Sequence, residues 1–307
     1  MRMGPSKFRV AVLAFFLINL TGVSLVSSQS AKTVFIQKGI YAMVGGEGID
    51  SNSTFIITSK GVIVVDTRPT PIEADKVMAE IRKHTDLPII YTINTHFHGD
   101  HTFGNQVFEE SVSIIAHKNV RKTLISKYGS QHLELFKTFG IPGMDAVKIT
   151  APNLVYEKSM DIDLGGFHLE LIHARGHTDG DTYIYLPSLR TIIAGDLVFN
   201  KKIPFMGHAY IDDWINGLVD MENLDAEIII PGHGDVAGKP IITQMKHYLM
   251  KLKVFVVKQI EDGKSLKETQ DIIRPMLEKK YKSWKKLEWL DDNIERAYFE
   301  FSDTSSQ

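Results

Sequence analysis

The chain has no cysteine among its 307 residues. That single absence removes disulfide frameworks, thiolate metal sites and thiol nucleophiles, and leaves His, Asp and Glu as the side chains able to hold a metal. The chain also lacks an excess of one charge: 35 Lys and Arg face 37 Asp and Glu, a formal net charge of −2. With no global basic field to hold a phosphate backbone, no nucleic-acid partner is expected. There is no G-x-S-x-G elbow and no phosphate-cradling glycine loop, so serine-hydrolase and P-loop chemistry lack support. No linker rich in Pro or Ser divides the body of the chain, which reads as one domain. What is present is the make-up of a folded globular protein, with 43% hydrophobic, 23% charged and 9% aromatic residues.

The N-terminus carries Arg2, Lys7 and Arg9 ahead of an uncharged run over residues 10–26 that ends in small polar residues. This pattern predicts a secretory signal peptide over residues 1–28, with cleavage after Ser28, or after Ser30 as the alternative. The run falls just short of the ~20 residues that span hydrocarbon, which separates it from an uncleaved anchor. Cleavage removes three positive charges and no negative one. The expected product begins near Gln29 or Ala31, is mildly acidic, is periplasmic or secreted, and has no stable membrane insertion.

Residues 32–67 contain four short β-runs, TVFIQ, IYAMV, STFIIT and GVIVVDT, separated by turn residues such as GGEGIDSNS. An antiparallel meander is the natural reading, with GGEGID (residues 45–50) as a hairpin tip. A helical pattern over Pro71–His84 and the apolar run LPIIYTIN change the order to strand, helix, strand. A second pass of the same rhythm starts near Asp161: FHLELIH, TYIYLP and TIIAGDLVF are strand-like, Asp212–Met221 is helical, and AEIIIPG is a buried strand. Two mixed β-sheets flanked by helices, a four-layer αββα sandwich of the α/β (α+β) class, would bury both sets. Residues 29–258 form the expected catalytic domain and 259–307 a C-terminal helical extension packed on it. The last segment spaces Trp284, Leu287, Leu290, Ile294 and Tyr298 by three and four, as core packing requires.

The informative segment is NTHFHGDHTFGN, where His96, His98, Asp100 and His101 follow an apolar run within six residues. In a turning loop at a strand's end, His96 and His98 project to one side and reach one ion, while Asp100 and His101 turn toward a second. Gly99 lets the turn close. Imidazole and carboxylate suit Zn²⁺ or another divalent first-row ion. His177 in ARGHTDGDT, Asp196 in IIAGDLVF and His233 in IIIPGHGD repeat the same chemistry after further apolar strands. Satisfied core histidines would not need a carboxylate or imidazole after each one, and the pattern is that of a metal site.

Through these residues the sequence resembles the metallo-β-lactamase-fold hydrolases over about Val34–Met250. The family's HxHxDH is matched by His96, His98, Asp100 and His101, its downstream His by His177, its bridging Asp by Asp196 and its last His by His233. The resemblance implies that His96, His98 and His177 hold a first metal, that Asp100, His101 and His233 hold a second, and that Asp196 bridges them. The implied cofactor is two divalent metal ions, Zn²⁺ first, with Fe or Mn as alternatives.

Two such ions roughly 3.5–4 Å apart hold a shared water, lower its pKa toward neutrality and polarise the oxygen of the bond it attacks. Asp100 is the candidate catalytic residue, placed to ligate metal, orient that hydroxide and exchange a proton with the leaving group. Phe97, Phe103, Phe199, Phe205, Met206, His208 and Tyr210 flank the motifs and either line an apolar pocket or pack the loops. Tyr183 or Tyr185 either points a hydroxyl at a substrate carbonyl or is structural. The basic cluster Lys279, Lys280, Lys282, Lys285 and Lys286 reads as a solvated helix face.

The expected activity is hydrolysis of a small ester, lactone, thioester or amide by an exported dinuclear enzyme. β-Lactam hydrolysis is an alternative, weakened because one β-lactamase group uses a Cys that is absent here and the Cys-free group usually lacks the bridging Asp. RGHTDGDT, GDLVFN and the Trp214 segment look closest to exported family members associated with sulfur-oxidation and quinoprotein gene sets. A mononuclear iron persulfide dioxygenase is the alternative of a different class.

Overall fold

Alternating β-branched and aromatic residues build the first half of the protein. In the computed structural model, which describes residues 31–45, 51–108 and 112–304, they form β1 (Lys32–Gln37), β2 (Ile40–Val44), β3 (Ser53–Ile57) and β4 (Val62–Val65), each antiparallel to the next. The expected signal peptide and most of the GGEGID tip lie outside the described residues. Thr70 then caps α1 (Pro71–Arg82), its hydroxyl accepting from the Glu73 N–H while Pro71 occupies the first turn. α1 returns the chain to β5 (Ile89–Ile93), parallel to β4. After a loop over residues 94–98 comes a four-residue turn of helix, α2 (Gly99–Thr102). β6 (Ser113–His117) and β7 (Leu154–Tyr156) continue the sheet in parallel, with α3 (Lys118–Leu124) and α4 (Lys127–Lys137) between them.

The second sheet holds β8 (Ser159–Leu164), β9 (Phe167–His173), β10 (Thr182–Leu186) and β11 (Thr191–Phe199) in antiparallel order. β12 (Ile228–His233) joins β11 in parallel across α5 (Ile211–Asn223), and the short β13 (Ala237–Gly238) closes the edge. Three helices end the chain: α6 (Pro240–Glu261), α7 (Leu266–Lys280) and α8 (Leu290–Thr304).

Three apolar layers make this the expected αββα sandwich. Ile40, Ile56, Ile63 and Ile93 of the first sheet meet Leu169, Leu171, Ile184 and Ile193 of the second. On the outer side of the first sheet, Phe55, Val62 and Val64 pack under Val77 and Ile81 of α1. On the outer side of the second, Trp214, Leu218, Met245, Leu249, Ile273 and Ile294 cover Ile192, Ala194 and Val198. Each such side chain, removed from water, contributes roughly 1.5–3 kcal/mol relative to exposure, so the layers rather than the loops set the register. α6 runs without a break across residue 258, and its buried face shares one core with α7 and α8.

The terminal stripe differs in local form from its spacing. Lys286 adopts φ +65°, Leu287–Trp289 make a single 3₁₀ turn and α8 begins at Leu290, so the stripe is a turn followed by a helix. All five of its residues nevertheless pack into the same core. Lys279 and Lys280 end α7, whereas Lys282, Lys285 and Lys286 lie on the loop beyond it. Among the described residues no helix is long and apolar enough to cross a membrane.

Candidate metal centre

The centre lies where the two sheets present their loops to one another. His96 and His98 leave the end of β5, and Gly99 starts α2, which turns Asp100 and His101 back beneath them. A Cβ on Gly99 would lie 2.3 Å from the Phe103 ring, so this turn requires glycine. From the other sheet come His177 on the β9–β10 loop, Asp196 inside β11 and His233 at the end of β12. β11 bulges at Gly195, whose φ of +53° aims Asp196 across the sandwich. At Gly232 a Cβ would stand 1.9 Å from Asp196 Oδ1, which fixes glycine there too.

All seven expected ligands converge in two groups, His96, His98, His177 and Asp196 in one and Asp100, His101 and His233 in the other. In the first, His98 Nδ1 lies 3.1 Å from His96 Nε2 and 2.9 Å from His177 Nε2, with Asp196 Oδ2 3.4 Å from His177 Nε2. In the second, His233 Nε2 and His101 Nε2 lie 3.2 and 3.5 Å from Asp100 Oδ2. Asp196 stands between the groups, Oδ1 at 3.2 Å from His101 Nε2 and Oδ2 at 3.4 Å from His233 Nε2.

Electrostatics divides the groups. Burial first, then the neighbouring imidazoles, hold His96 and His98 well below the usual histidine range, and burial pushes His177 down to about 4. Those rings are neutral and offer lone pairs. Burial also opposes charge on His101, yet Asp196, Asp100 and Asp66 outweigh it and raise its pKa well above the usual value. His233 is raised in the same way, against burial, by Asp196 and Asp100. The Asp196 carboxyl, disfavoured by burial, is held well below the usual carboxylate range by His233, His101 and His96.

Each of the two groups has donors that fit a divalent cation. His98 Nδ1 has imidazole nitrogens of both His96 and His177 within 3.1 Å, and its one lone pair or one proton can serve only one of them. His101 Nε2 and Asp196 Oδ1, both buried, have no hydrogen-bond partner although they face one another. A buried polar atom without a partner costs about 1–3 kcal/mol, and a cation between such groups removes that cost.

Several residues that support the centre carry no motif. Asp66, at the end of β4 with φ +60°, accepts from the Thr95 N–H at 2.8 Å, from the Thr95 hydroxyl at 2.7 Å and from His101 Nδ1–H at 2.7 Å. That last bond leaves His101 Nε2 facing the cluster. A carboxylate closing the apolar run GVIVVDT is the sequence signal for it. Arg68, fully buried with φ +68°, donates to Ser51 O, and the Ser51 hydroxyl donates to Asp100 O. Asp181 holds the His177 turn by accepting from the Thr178 N–H and hydroxyl. His132 on α4 accepts from the Gly99 N–H at 3.2 Å.

The expected pocket residues separate. The ring of Phe97 lies 4.6 Å from that of His98 and 5.3 Å from that of His208, while Phe199 stacks on His233 at 5.0 Å. Phe205 reaches both His98 and Trp289. Phe103 instead packs with Leu133 and Phe136, Met206 belongs to the core outside the second sheet, and Tyr210 sits under Arg175. Neither strand tyrosine turns to the donor cluster: Tyr185 donates to Asp225 O, and Tyr183 lines a separate cleft with Asp213 and Asp220. The tyrosine that reaches the donor cluster is Tyr128 of α4, through His208.

The metallo-beta-lactamase superfamily profile matches residues 46–233. A linear primary-alkylsulfatase of Pseudomonas sp. is 25% identical over 222 residues, 61% of this chain and 42% of that protein, so the chain spans less than half of that relative. A metallo-beta-lactamase of Chryseobacterium indologenes is 24% identical over 205 residues, 64% of this chain and 77% of its own. Among solved structures, a stereoselective inverting sec-alkylsulfatase from Pseudomonas sp. aligns with a TM-score of 0.70 at 18% identity, covering 87% of this chain and 50% of that one. A metallo-beta-lactamase from Pontibacter korlensis aligns with a TM-score of 0.61 at 16% identity, covering 72% of this chain and 99% of its own.

Proposed function

The chain belongs to the metallo-beta-lactamase superfamily, a family of metal-dependent hydrolases, and on that premise we propose that it is an exported dinuclear enzyme acting on a small ester, lactone, thioester or amide. The observation that carries this reading is the convergence of seven His and Asp donors in two buried groups that share Asp196. His96, His98 and His177 would hold one ion, Asp100, His101 and His233 the other, and Asp196 would bridge. Zn²⁺ suits this donor set. When bound, the ions supply an activated water and positive charge for the oxygen of the bond under attack.

The chain's own residues have separable tasks. Asp66 fixes the ring of His101, so its proton stays on Nδ1. Asp100, held from below by the Ser51 hydroxyl on its carbonyl, is the carboxylate placed to hold or return a proton during hydrolysis. Phe97 and Phe205 flank His98 with apolar surface and exclude water from that side. Residues 29–258 serve as the catalytic unit, and 259–307 extend it with helices. Loss of residues 1–28 on export completes this reading.

Within the ester class, an alkyl sulfate ester is a second candidate. The relative named for that activity is 25% identical, and the likeness to the sec-alkylsulfatase runs over 87% of the chain, against 72% for the β-lactamase from Pontibacter korlensis.

The test is elemental analysis of the exported protein, purified without added metal, with hydrolysis measured on a lactone, a thioester, an alkyl sulfate and nitrocefin. Near two zinc per chain with turnover of one of the first three supports the reading. Nitrocefin alone would make it a β-lactamase. One iron per chain with oxygen uptake on a persulfide and no hydrolysis would contradict it.

A further inference from the structure

His98 differs from its two neighbours in the first group. His96 and His177 turn Nε2 toward the shared space, whereas His98 turns Nδ1. A ring that presents Nδ1 as a lone pair must carry its proton on Nε2, and that proton needs an acceptor. The atom in place is His208 Nδ1, 2.8 Å from His98 Nε2. His208 Nδ1 can accept only if its own proton is on Nε2, where it meets the Tyr128 oxygen. The proton positions along His98, His208 and Tyr128 are therefore linked, and the reverse arrangement would aim an N–H at the other ligands.

His208 stands on the irregular segment between β11 and α5, so something else must hold it. That element is α8. Asn293, buried, donates from Nδ2 to Pro204 O at 2.9 Å and to the Tyr248 hydroxyl at 2.8 Å. The Arg296 guanidinium donates to Ala209 O, the carbonyl of the residue after His208. Glu300 accepts from the Ile211 N–H at 2.8 Å and pairs with Arg296 at 2.8 Å. Three residues within about two turns of one helix thus bind the segment before, beside and after His208.

We propose that His208 is a positioning residue for His98, fixing the tautomer that presents Nδ1 to a metal, and that α8 is the brace that keeps His208 in register. The proposal rests on the metal-centre reading above. It gives the C-terminal helices a task in the site and not only in the core.

The test is zinc competition against a chromophoric chelator on the full chain, with thermal unfolding as a check of the fold. His208→Phe should weaken the tighter-held zinc by about 10–100-fold, the range for loss of a ligand's outer hydrogen-bond partner. His208→Asn, whose Oδ1 can take the place of Nδ1, should restore most of that affinity, which a purely space-filling role would not predict. Asn293→Ala should weaken zinc binding in the wild-type background and add nothing to His208→Phe. Tyr128→Phe, which leaves His208 in place without its acceptor, should give a smaller loss and serves as the test if His208→Phe does not fold. Wild-type affinity in His208→Phe, or no recovery in His208→Asn, overturns the positioning role; additive losses with Asn293→Ala overturn the brace. A wild-type chain that takes up no zinc fails differently, because it overturns the metal centre itself.

Discussion

Asp66 and His101 are joined by a 2.7 Å hydrogen bond between residues 35 positions apart, from the end of β4 to α2. The same carboxylate holds the backbone N–H and hydroxyl of Thr95, the residue before His96. One buried acid thereby fixes a ring of the second donor group and the chain entering the first.

Replacing Asp66 by Asn should therefore damage metal binding without removing a ligand. The amide keeps one acceptor for Thr95 and cannot serve His101 as a carboxylate does. Affinity for the second metal should fall about 10–100-fold, read by chelator competition, with the circular dichroism spectrum unchanged. Equal affinity in the variant would show that Asp66 is only structural.

Gly232→Ala probes the close approach of β12 to the bridge. The added methyl would stand 1.9 Å from Asp196 Oδ1, so the carboxylate or the strand must move. A cost of about 1–3 kcal/mol in stability is expected from such overpacking, together with loss of paired metal binding in the folded fraction. Full stoichiometry at wild-type stability would contradict the position of Asp196.

Away from the donor groups, His117 stacks face to face on His173 at 3.7 Å, with Nε2 on Glu157 O. Burial, then the neighbouring His173, pushes the His117 pKa down to about 4. The unfolded ring titrates near 6.5, so between pH 6.5 and 4 the unfolded chain binds more protons than the folded one. This group therefore destabilises the fold progressively as pH falls through that window, by on the order of 2 kcal/mol once solvent screening is allowed for. His117→Phe should be less stable at pH 7, because its hydrogen bonds are gone, and should lose less stability on acidification. Parallel curves of unfolding free energy against pH for the two proteins would sink this account.

How far the sequence foretells this structure follows the range of the interactions. β9 and β11 fall on FHLELIH and TIIAGDLVF residue for residue, because an alternating run and a largely apolar run, each bounded by turn residues, need no distant information. The seven candidate donors can be picked out because they stand within or shortly after such runs, and the fold brings them into two groups. Residues 113–156 are not legible: α3 offers two buried positions in KNVRKTL, and β6 and β7 are short. With α4 unseen, His132 and Tyr128 go unnoticed, and a tyrosine hydroxyl for the substrate is weighed on β10, against a structural role, instead. Asp66 and Arg68 look like turn residues until β5 and α2 are set beside them. His208 sits among the residues flanking the motif, yet its bond to His98 spans 110 positions and no spacing rule reaches that far.

The most direct measurement is the metal content of the folded wild-type chain, purified without added metal and set beside His98→Ala. Near two divalent ions per chain in the wild type, with most metal lost from a variant that keeps its fold, is the result predicted by the two donor groups that share Asp196. A folded wild-type chain that carries no metal and takes up none from a zinc solution would contradict it.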